Sequence, residues 1–330
     1  MHVLVTGATG TIGPRVTRVF GESGYRIRTL SLDPPEPGLF PGTVEVRTGD
    51  VTNRRQVESA MKGVDVVVHL AALLHIVNPS PQLREKYEKI NVGGTASVIE
   101  AARLSEVKRV VFFSTISVYG SNRDLILDEG VAPQPDTFYA QTKLAAERIV
   151  LGARGADGQA LGTVLRLAAV YGPRIKGNYE RLLRALSRGK FIPIGDGYNR
   201  RTLIYERDVG RAAVVAAEHP EAAGRIYNVS DGQFHTLKEI IETMCEALGR
   251  KAPRFSIPLG PARVIAATME KMARVTGRKS GVGRATLDKY TEDVAVDSHR
   301  IQKELGFVPK FDLKSGWRET VQEMRQAGQL

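Results

Sequence analysis

Short apolar runs alternate with amphipathic or turn-forming stretches through the first half of the chain. The runs are "HVLVT" (2–6), "RIRTL" (26–30), "TVEVR" (43–47), "DVVVHL" (65–70), "RVVFFS" (109–114) and "TVLRL" (163–167), all rich in β-branched residues. That alternation is the one a parallel sheet requires, and it predicts a doubly wound α/β layer. After Arg174 helical periodicity takes over, across 177–188, 208–217, 236–248 and 261–276, with one return strand at "RIYNV" (225–229). The pattern predicts a sheet domain over 1–170, to which the chain returns around 202–232. A smaller, mostly helical lobe over 171–201 and 233–330 should close over the carboxyl ends of the strands. No clean linker, repeat or low-complexity tract separates the two.

Composition narrows the chemistry. The chain has 330 residues, 42% of them apolar, enough for a sizeable core. A single cysteine, Cys245, forms no internal disulfide and no zinc cluster, so no metal is expected. The chain opens on "MHVLVTG" without a charged leader, and "VDVVVHLAALLHIV" from Val64 is too short to span a bilayer. The expected compartment is the cytosol. The formal charge of +11 suits nucleic acid, a membrane surface or a small anion. Its charges look scattered along helices rather than gathered in an arm, which favours the small anion over nucleic acid or membrane.

"TGATGTIG" supplies the anion site. Gly7, Gly10 and Gly13 lie between the first strand and the first helix, where glycine permits a tight turn and close approach to a pyrophosphate. In "TGDVT", Asp50 and Val51 follow the third strand, placed to bind an adenine or, equally, to cap a helix. At the end of the second strand Ser31 takes the position expected of an acid, Asp33 comes two residues later, and Arg15 and Arg28 are near in sequence. An acid there selects NAD and a base selects NADP; the residues lean to NAD and leave NADP open. Further on, "YAQTK" sets Tyr139 and Lys143 four apart, on one face of a helix. The pair is either surface decoration or a proton-transfer device.

Taken together, "TGATGTIG", "GDV", "HLAA" (His69–Ala72), "NVGGT" (Asn91–Thr95), "STISVYG", "YAQTK" and "VYGPR" (Val170–Arg174) resemble the extended short-chain dehydrogenase/reductases. The later "GDGYNRRTLIYERDVGRA" and "YNVSDGQFHTLKEIIETMCEALGR" resemble the nucleotide-sugar epimerase, dehydratase and ketoreductase branch. The resemblance implies that Tyr139 is the acid/base, that Lys143 favours the phenolate and holds the nicotinamide ribose, and that Thr115 hydrogen-bonds the reacting oxygen. Ser114 and Ser117 are the substitutes for Thr115. It implies a dinucleotide lined by Gly7, Thr9, Gly10, Thr11, Ile12, Gly13, Asp33, Asp50, Val51, Leu70, Ala71, Ala72, Asn91 and Ser114. Asn91 reads as well as a buried structural residue.

The resemblance also sorts reactions. Sugar dehydratases carry an acid pair where this chain has Ile116 and Ser117, so elimination is not expected. Cys245 reads as core rather than as a catalytic thiol. What remains is hydride chemistry at one carbon of a UDP-type sugar nucleotide, as a 4-epimerase or a 4-keto reductase. Arg201 corresponds to the arginine that clamps the pyrophosphate, with Arg200, Asn199 and Asn178 beside it. Ala169 stands where many such enzymes carry a phosphate-contacting asparagine, which keeps open a reductase of an apolar ketone such as a steroid. A noncatalytic regulator or RNA-binding relative would have lost the Thr, Tyr and Lys set. Helices 82–104 and 138–152 match the pair that builds a homodimer in the family.

Overall fold

Each apolar run forms a strand. The computed structural model describes residues 1–74, 80–121, 126–276 and 284–330. Its main sheet holds seven parallel strands: β1 (His2–Thr6), β2 (Arg26–Ser31), β3 (Glu45–Thr48), β4 (Val66–His69), β5 (Arg109–Thr115), β6 (Gly162–Leu167) and β7 (Ile226–Val229). Their spatial order is β7-β6-β5-β4-β1-β2-β3, the doubly wound arrangement. Successive side chains go to opposite faces, and both faces are covered. Val3, Val5, Val66, Val68, Val111 and Phe113 join a core with Phe20 and Val209; Leu4, Val67, Val110 and Phe112 join another with Met61, Val98 and Val150. That two-sided burial is why the strands read as nearly continuous apolar runs. β3 starts two residues later than its sequence suggests, because it is the sheet edge and its side chains are mostly exposed.

The smaller lobe has its own core. Leu182, Leu183 and Leu186 of helix Asn178–Ser187 meet Ile240, Ile241 and Met244 of helix Leu237–Leu248, and Trp317, Val321 and Met324 of helix Leu313–Gln326. Cys245 is buried in this cluster, as its apolar periodicity suggests. The chain crosses between the lobes several times. Leu203–Tyr205 pairs with Ala169–Tyr171, and helix Glu206–Glu218 then packs on helix Gly13–Glu22 before β7. A further return is not evident in the sequence: Ala295–Val296 pairs with Ile126–Leu127, and Ile301, Leu305 and Phe307 enter the sheet core. A buried ion pair fastens the lobes, with Arg15 Nε 2.8 Å from Glu206 and its Nη2 2.9 Å from Glu323 of the last helix.

Candidate active site

Strand order reverses between β1 and β4, the switch point where doubly wound sheets bind ligands. Gly7 (φ +71°) lies at this fork, and a Cβ on it would fall 2.7 Å from the backbone nitrogen of Ala71. A Cβ on Gly13 would fall 2.3 Å from the carbonyl oxygen of Ala8. Gly10 differs: its Cβ would meet only the carbonyl of Gly7, at 3.1 Å, so its other side is open. Helix Gly13–Glu22 begins at Ile12 without a side-chain cap and without an acidic residue in its first turn. Its N–H donors and positive dipole end are left for an anion, and the residues present fit a dinucleotide pyrophosphate. Gly10→Ala should therefore fold with a stability change below about 1 kcal/mol yet bind the dinucleotide at least about tenfold more weakly. Gly13→Ala should lose stability outright; thermal unfolding and dinucleotide titration on both variants check the contrast.

The ribose end of the cradle is settled by contacts far apart in sequence. Ser31 Oγ accepts from Thr9 N at 3.1 Å. Arg15 is held by Glu206 and Glu323, and Arg28 by Glu45 and the carbonyls of Ala60 and Lys62. Neither guanidinium is placed to receive a 2′-phosphate, which removes the sequence argument for NADP. Asp33 stands exposed just past β2. Asp50 accepts from Thr52 N at 2.8 Å, so one carboxylate oxygen does cap its turn, while Val51 packs against Gly94. Leu70, Ala71 and Ala72 continue from β4 beside Gly7, with Leu70 N donating to the carbonyl of Thr6.

Thr115 closes β5, and its hydroxyl donates to Ser117 Oγ at 3.1 Å. Gly120 (φ +73°) ends the short turn Ile116–Tyr119 so near the carbonyl of Gln134 that a Cβ would fall 1.9 Å from that oxygen. Only glycine lets this loop lie against the segment leading into helix Phe138–Gly152. Thr137 caps that helix by accepting from Ala140 N at 3.2 Å. In its first turn the Tyr139 ring lies edge-on to Tyr87, at 6.4 Å between centroids. Burial, with the Tyr87 phenol adding, pushes the Tyr139 phenol up to about 12. Lys143 is fully buried, its Nζ 4.0 Å from the centroid of the Phe112 ring. Burial brings its ammonium down to about 7, against the opposing pull of Glu147. Burial of the phenol thus works against the phenolate that Lys143 is expected to favour.

Ser114 is not an alternative to Thr115. Its hydroxyl donates to Glu147, which also binds Arg166 at 2.7 Å, all three side chains buried. Asn91 sits in a π-helical turn, Glu88–Gly93, between helices Pro81–Tyr87 and Gly94–Leu104. Such turns are frequent at functional sites. Its amide oxygen accepts from Leu73 N at 2.7 Å and its nitrogen donates to Thr142 at 3.1 Å. Asn91 therefore ties the segment after β4 to the helix of Tyr139 and Lys143, which is the supporting role rather than direct contact.

On the lobe side, a cavity of about 220 Å³ is lined by Ala169, Lys176, Asn178, Tyr179 and Trp317 among others; Thr115, Tyr139 and Lys143 do not line it. Arg201 Nη2 donates to the carbonyls of Lys289 (2.6 Å) and Tyr290 (3.0 Å). It is also near enough to Tyr179 to oppose the burial that drives that phenol to about 12. Arg200 and Asn199, expected beside it, are also hydrogen-bonded within the protein. Arg200 is paired with Asp293, and Asn199 donates to the carbonyls of Tyr290 and Glu292.

Comparison with known proteins agrees with this geometry. The model of the NAD dependent epimerase/dehydratase family matches residues 3–230. The chain belongs to this family. Over 322 residues it is 26% identical to the N-acetyl-alpha-D-glucosaminyl-diphospho-ditrans,octacis-undecaprenol 4-epimerase of Escherichia coli O157:H7, covering 97% of this chain and 94% of that one. It is 28% identical over 274 residues to a 3 beta-hydroxysteroid dehydrogenase/Delta 5-->4-isomerase of Mycobacterium tuberculosis, covering 79% and 73%. Among solved structures, MoeE5 in complex with UDP-glucose and NAD superposes with a TM-score of 0.77 at 28% identity, covering 99% of each chain.

This epimerase/dehydratase chain has site residues that the sequence reading passed over. Glu147 follows Lys143 by one helical spacing, so Tyr139, Lys143 and Glu147 form a stripe at i, i+4 and i+8, and Arg166 is a charge within an otherwise apolar strand. Both signals were local. His69 is buried between Thr6 (2.7 Å) and Thr95 (3.0 Å), and burial, with Lys143 nearby, pushes its imidazole down to about 3. It is a neutral tie between the ends of β1 and β4 and the Gly94–Leu104 helix.

Proposed function

We propose that this chain catalyses NAD-dependent hydride transfer at a sugar carbon of a UDP-type nucleotide sugar, as a 4-epimerase or a 4-keto reductase. One observation carries the reading: Thr115 ends β5, the Tyr139–Lys143 helix packs on that same strand with Lys143 over Phe112, and the β1 end of the same parallel sheet forms the glycine cradle. The likeness to a UDP-glucose and NAD complex supports it. Gly7, Gly10 and the helix start at Ile12 would hold the pyrophosphate, and Asp33 the adenosine ribose hydroxyls. The cofactor, when bound, would supply a carbon that accepts a hydride and returns it in epimerisation, or in its reduced form donates one in net reduction. Tyr139 exchanges a proton with the substrate hydroxyl or carbonyl oxygen, and Thr115 hydrogen-bonds that same oxygen. Buried Lys143, one helical turn on from Tyr139, would favour the phenolate in its protonated form. Ile116 and Ser117 provide no acid pair for eliminating water, which favours simple hydride exchange.

Arg201 is the residue proposed to bind the sugar diphosphate. Arg201→Ala should weaken UDP binding by roughly 1.5–3 kcal/mol, and Arg201→Lys should recover only part, since lysine keeps the charge without the fork. NAD affinity should not move. Calorimetry with UDP and with NAD on all three proteins gives the answer, and unchanged UDP affinity in Arg201→Ala would sink the assignment. Ala169, together with the hydroxysteroid dehydrogenase relative, favours one second reading, reduction or oxidation of an apolar ketone or alcohol. Turnover with UDP-glucose against a 3β-hydroxysteroid separates the two. Helices Gly94–Leu104 and Phe138–Gly152 pack side by side, and we propose that they form the homodimer contact. Light scattering should return twice the chain mass.

A further inference from the structure

Three helices of the smaller lobe end around one open hollow of about 440 Å³, lined by Arg184, Arg188, Arg250 and Arg325 with Ser187 and Gln329. Arg184 and Arg188 come from the end of helix Asn178–Ser187, four apart and so on one face. Gly249, at φ +68°, stops helix Leu237–Leu248 and turns the chain, so that Arg250 follows. A Cβ on Gly189 would fall 3.4 Å from Arg250 Nη1, which puts that guanidinium beside the backbone next to Arg188. Arg325 belongs to the last turn of helix Leu313–Gln326.

One cation near a helix C-terminus is ordinary, since it meets the negative end of the dipole. Four converging on one hollow are not. Arg325 Nη2 donates to the carbonyl of Leu248 at 2.8 Å, and Arg184 Nη1 to the carbonyl of Gln329 at 2.6 Å. A carbonyl fixes a guanidinium without cancelling its charge. Arg184 alone of the four has a carboxylate partner, Glu180 at 2.8 Å. Arg188 and Arg250 are exposed and have no side-chain hydrogen bond or ion pair among the described residues. Even with a terminal carboxylate on Leu330 counted beside Glu180, four arginines against two acids leave a surplus of two. Such a surplus repels itself until an anion enters, and planar guanidinium forks match phosphate oxygens two at a time. The volume lies within the roughly 300–1,000 Å³ of small-molecule sites, and Leu248 and Leu330 are the only apolar lining, so the hollow suits a chain of phosphates rather than a ring.

We propose that Arg184, Arg188, Arg250 and Arg325 form a second anion site, which binds an oligophosphate either free or as the phosphate chain of a nucleotide. Neither the glycine cradle nor Arg201 lines it, so the inference stands apart from the substrate assignment. The test is calorimetry on the full chain saturated with NAD, in magnesium-free buffer, with tripolyphosphate, ATP and sulfate. Tripolyphosphate should bind with a Kd below about 0.1 mM, and sulfate at least about tenfold more weakly. ATP should bind through the same phosphates, and the tighter of the two names the source. Arg188→Gln combined with Arg250→Gln should lower tripolyphosphate affinity at least about tenfold, with NAD affinity and the ligand-free unfolding temperature unchanged. Arg201→Ala should leave this binding in place. Binding that Arg201→Ala abolishes and the double variant does not alter belongs to the other lobe site and overturns the proposal. Equal affinity for sulfate and tripolyphosphate would mean an adventitious ion only and overturns it as well. So does a double variant that unfolds well below the parent without ligand, which would make the arginines a support of the fold. Tighter binding of a single-stranded RNA of about 20 nucleotides than of tripolyphosphate, lost in the double variant, would assign the hollow to nucleic acid instead.

Discussion

Replacing Tyr139 with phenylalanine should lower turnover by about 10²–10⁴-fold while the dinucleotide still binds. Phenylalanine keeps the ring that lies edge-on to Tyr87 and removes only the exchangeable proton. Thr115→Val should cost less, because it removes a hydrogen bond to the reacting oxygen and leaves the proton donor in place. Steady-state kinetics with a UDP-sugar, alongside NAD titration, measure both; near-normal turnover in Tyr139→Phe would move proton transfer to another residue. The direction of reaction should matter as well. With its phenol at about 12 in the ligand-free protein, Tyr139 is protonated at neutral pH, ready as an acid and scarce as a base. Accordingly kcat/KM for alcohol oxidation should climb with pH, and for ketone reduction Tyr139 should impose no such rise.

Lys143 adds a stability signature. Its folded value of about 7 lies below the ordinary 10.5, so between them the unfolded chain binds the extra proton. The cost to folding is present in full below about 7 and is relieved as pH rises through that interval. Lys143→Met should flatten this part of the stability profile.

The second large effect is structural. Arg166→Met should destabilise the protein by about 3–5 kcal/mol, because it removes the ion pair of the buried Glu147 carboxylate and leaves it the Ser114 hydroxyl as a hydrogen-bond partner and the more distant charge of Lys143. Urea unfolding measures the loss. Replacing both partners, as in Arg166→Met with Glu147→Leu, should recover much of it, since no unpaired charge remains. A single variant as stable as the parent would show that the pair does not hold β6 to the Tyr139 helix. Because Glu147 opposes the downward drive on Lys143, the same pair links the sheet to the helix of Tyr139 and Lys143.

What the sequence determined by itself is what local spacing encodes. The seven strands follow from runs of apolar residues, the cradle from Gly7, Gly10 and Gly13 between a strand and a helix, and the Tyr139–Lys143 face from four-residue helical spacing. Each depends on neighbours within a turn or two. The tertiary structure alone decided which polar groups are available. Arg15 reaches Glu206 across 191 positions, which takes it away from the ribose end, and Arg200 is claimed by Asp293, 93 positions on. Ser114 and Thr115 are adjacent and chemically alike, yet the fold places Glu147 and Arg166 only against the first. A buried polar group must find a partner or lose the free energy of its hydration, and partners that far apart are chosen by packing of the whole chain, which no local pattern records.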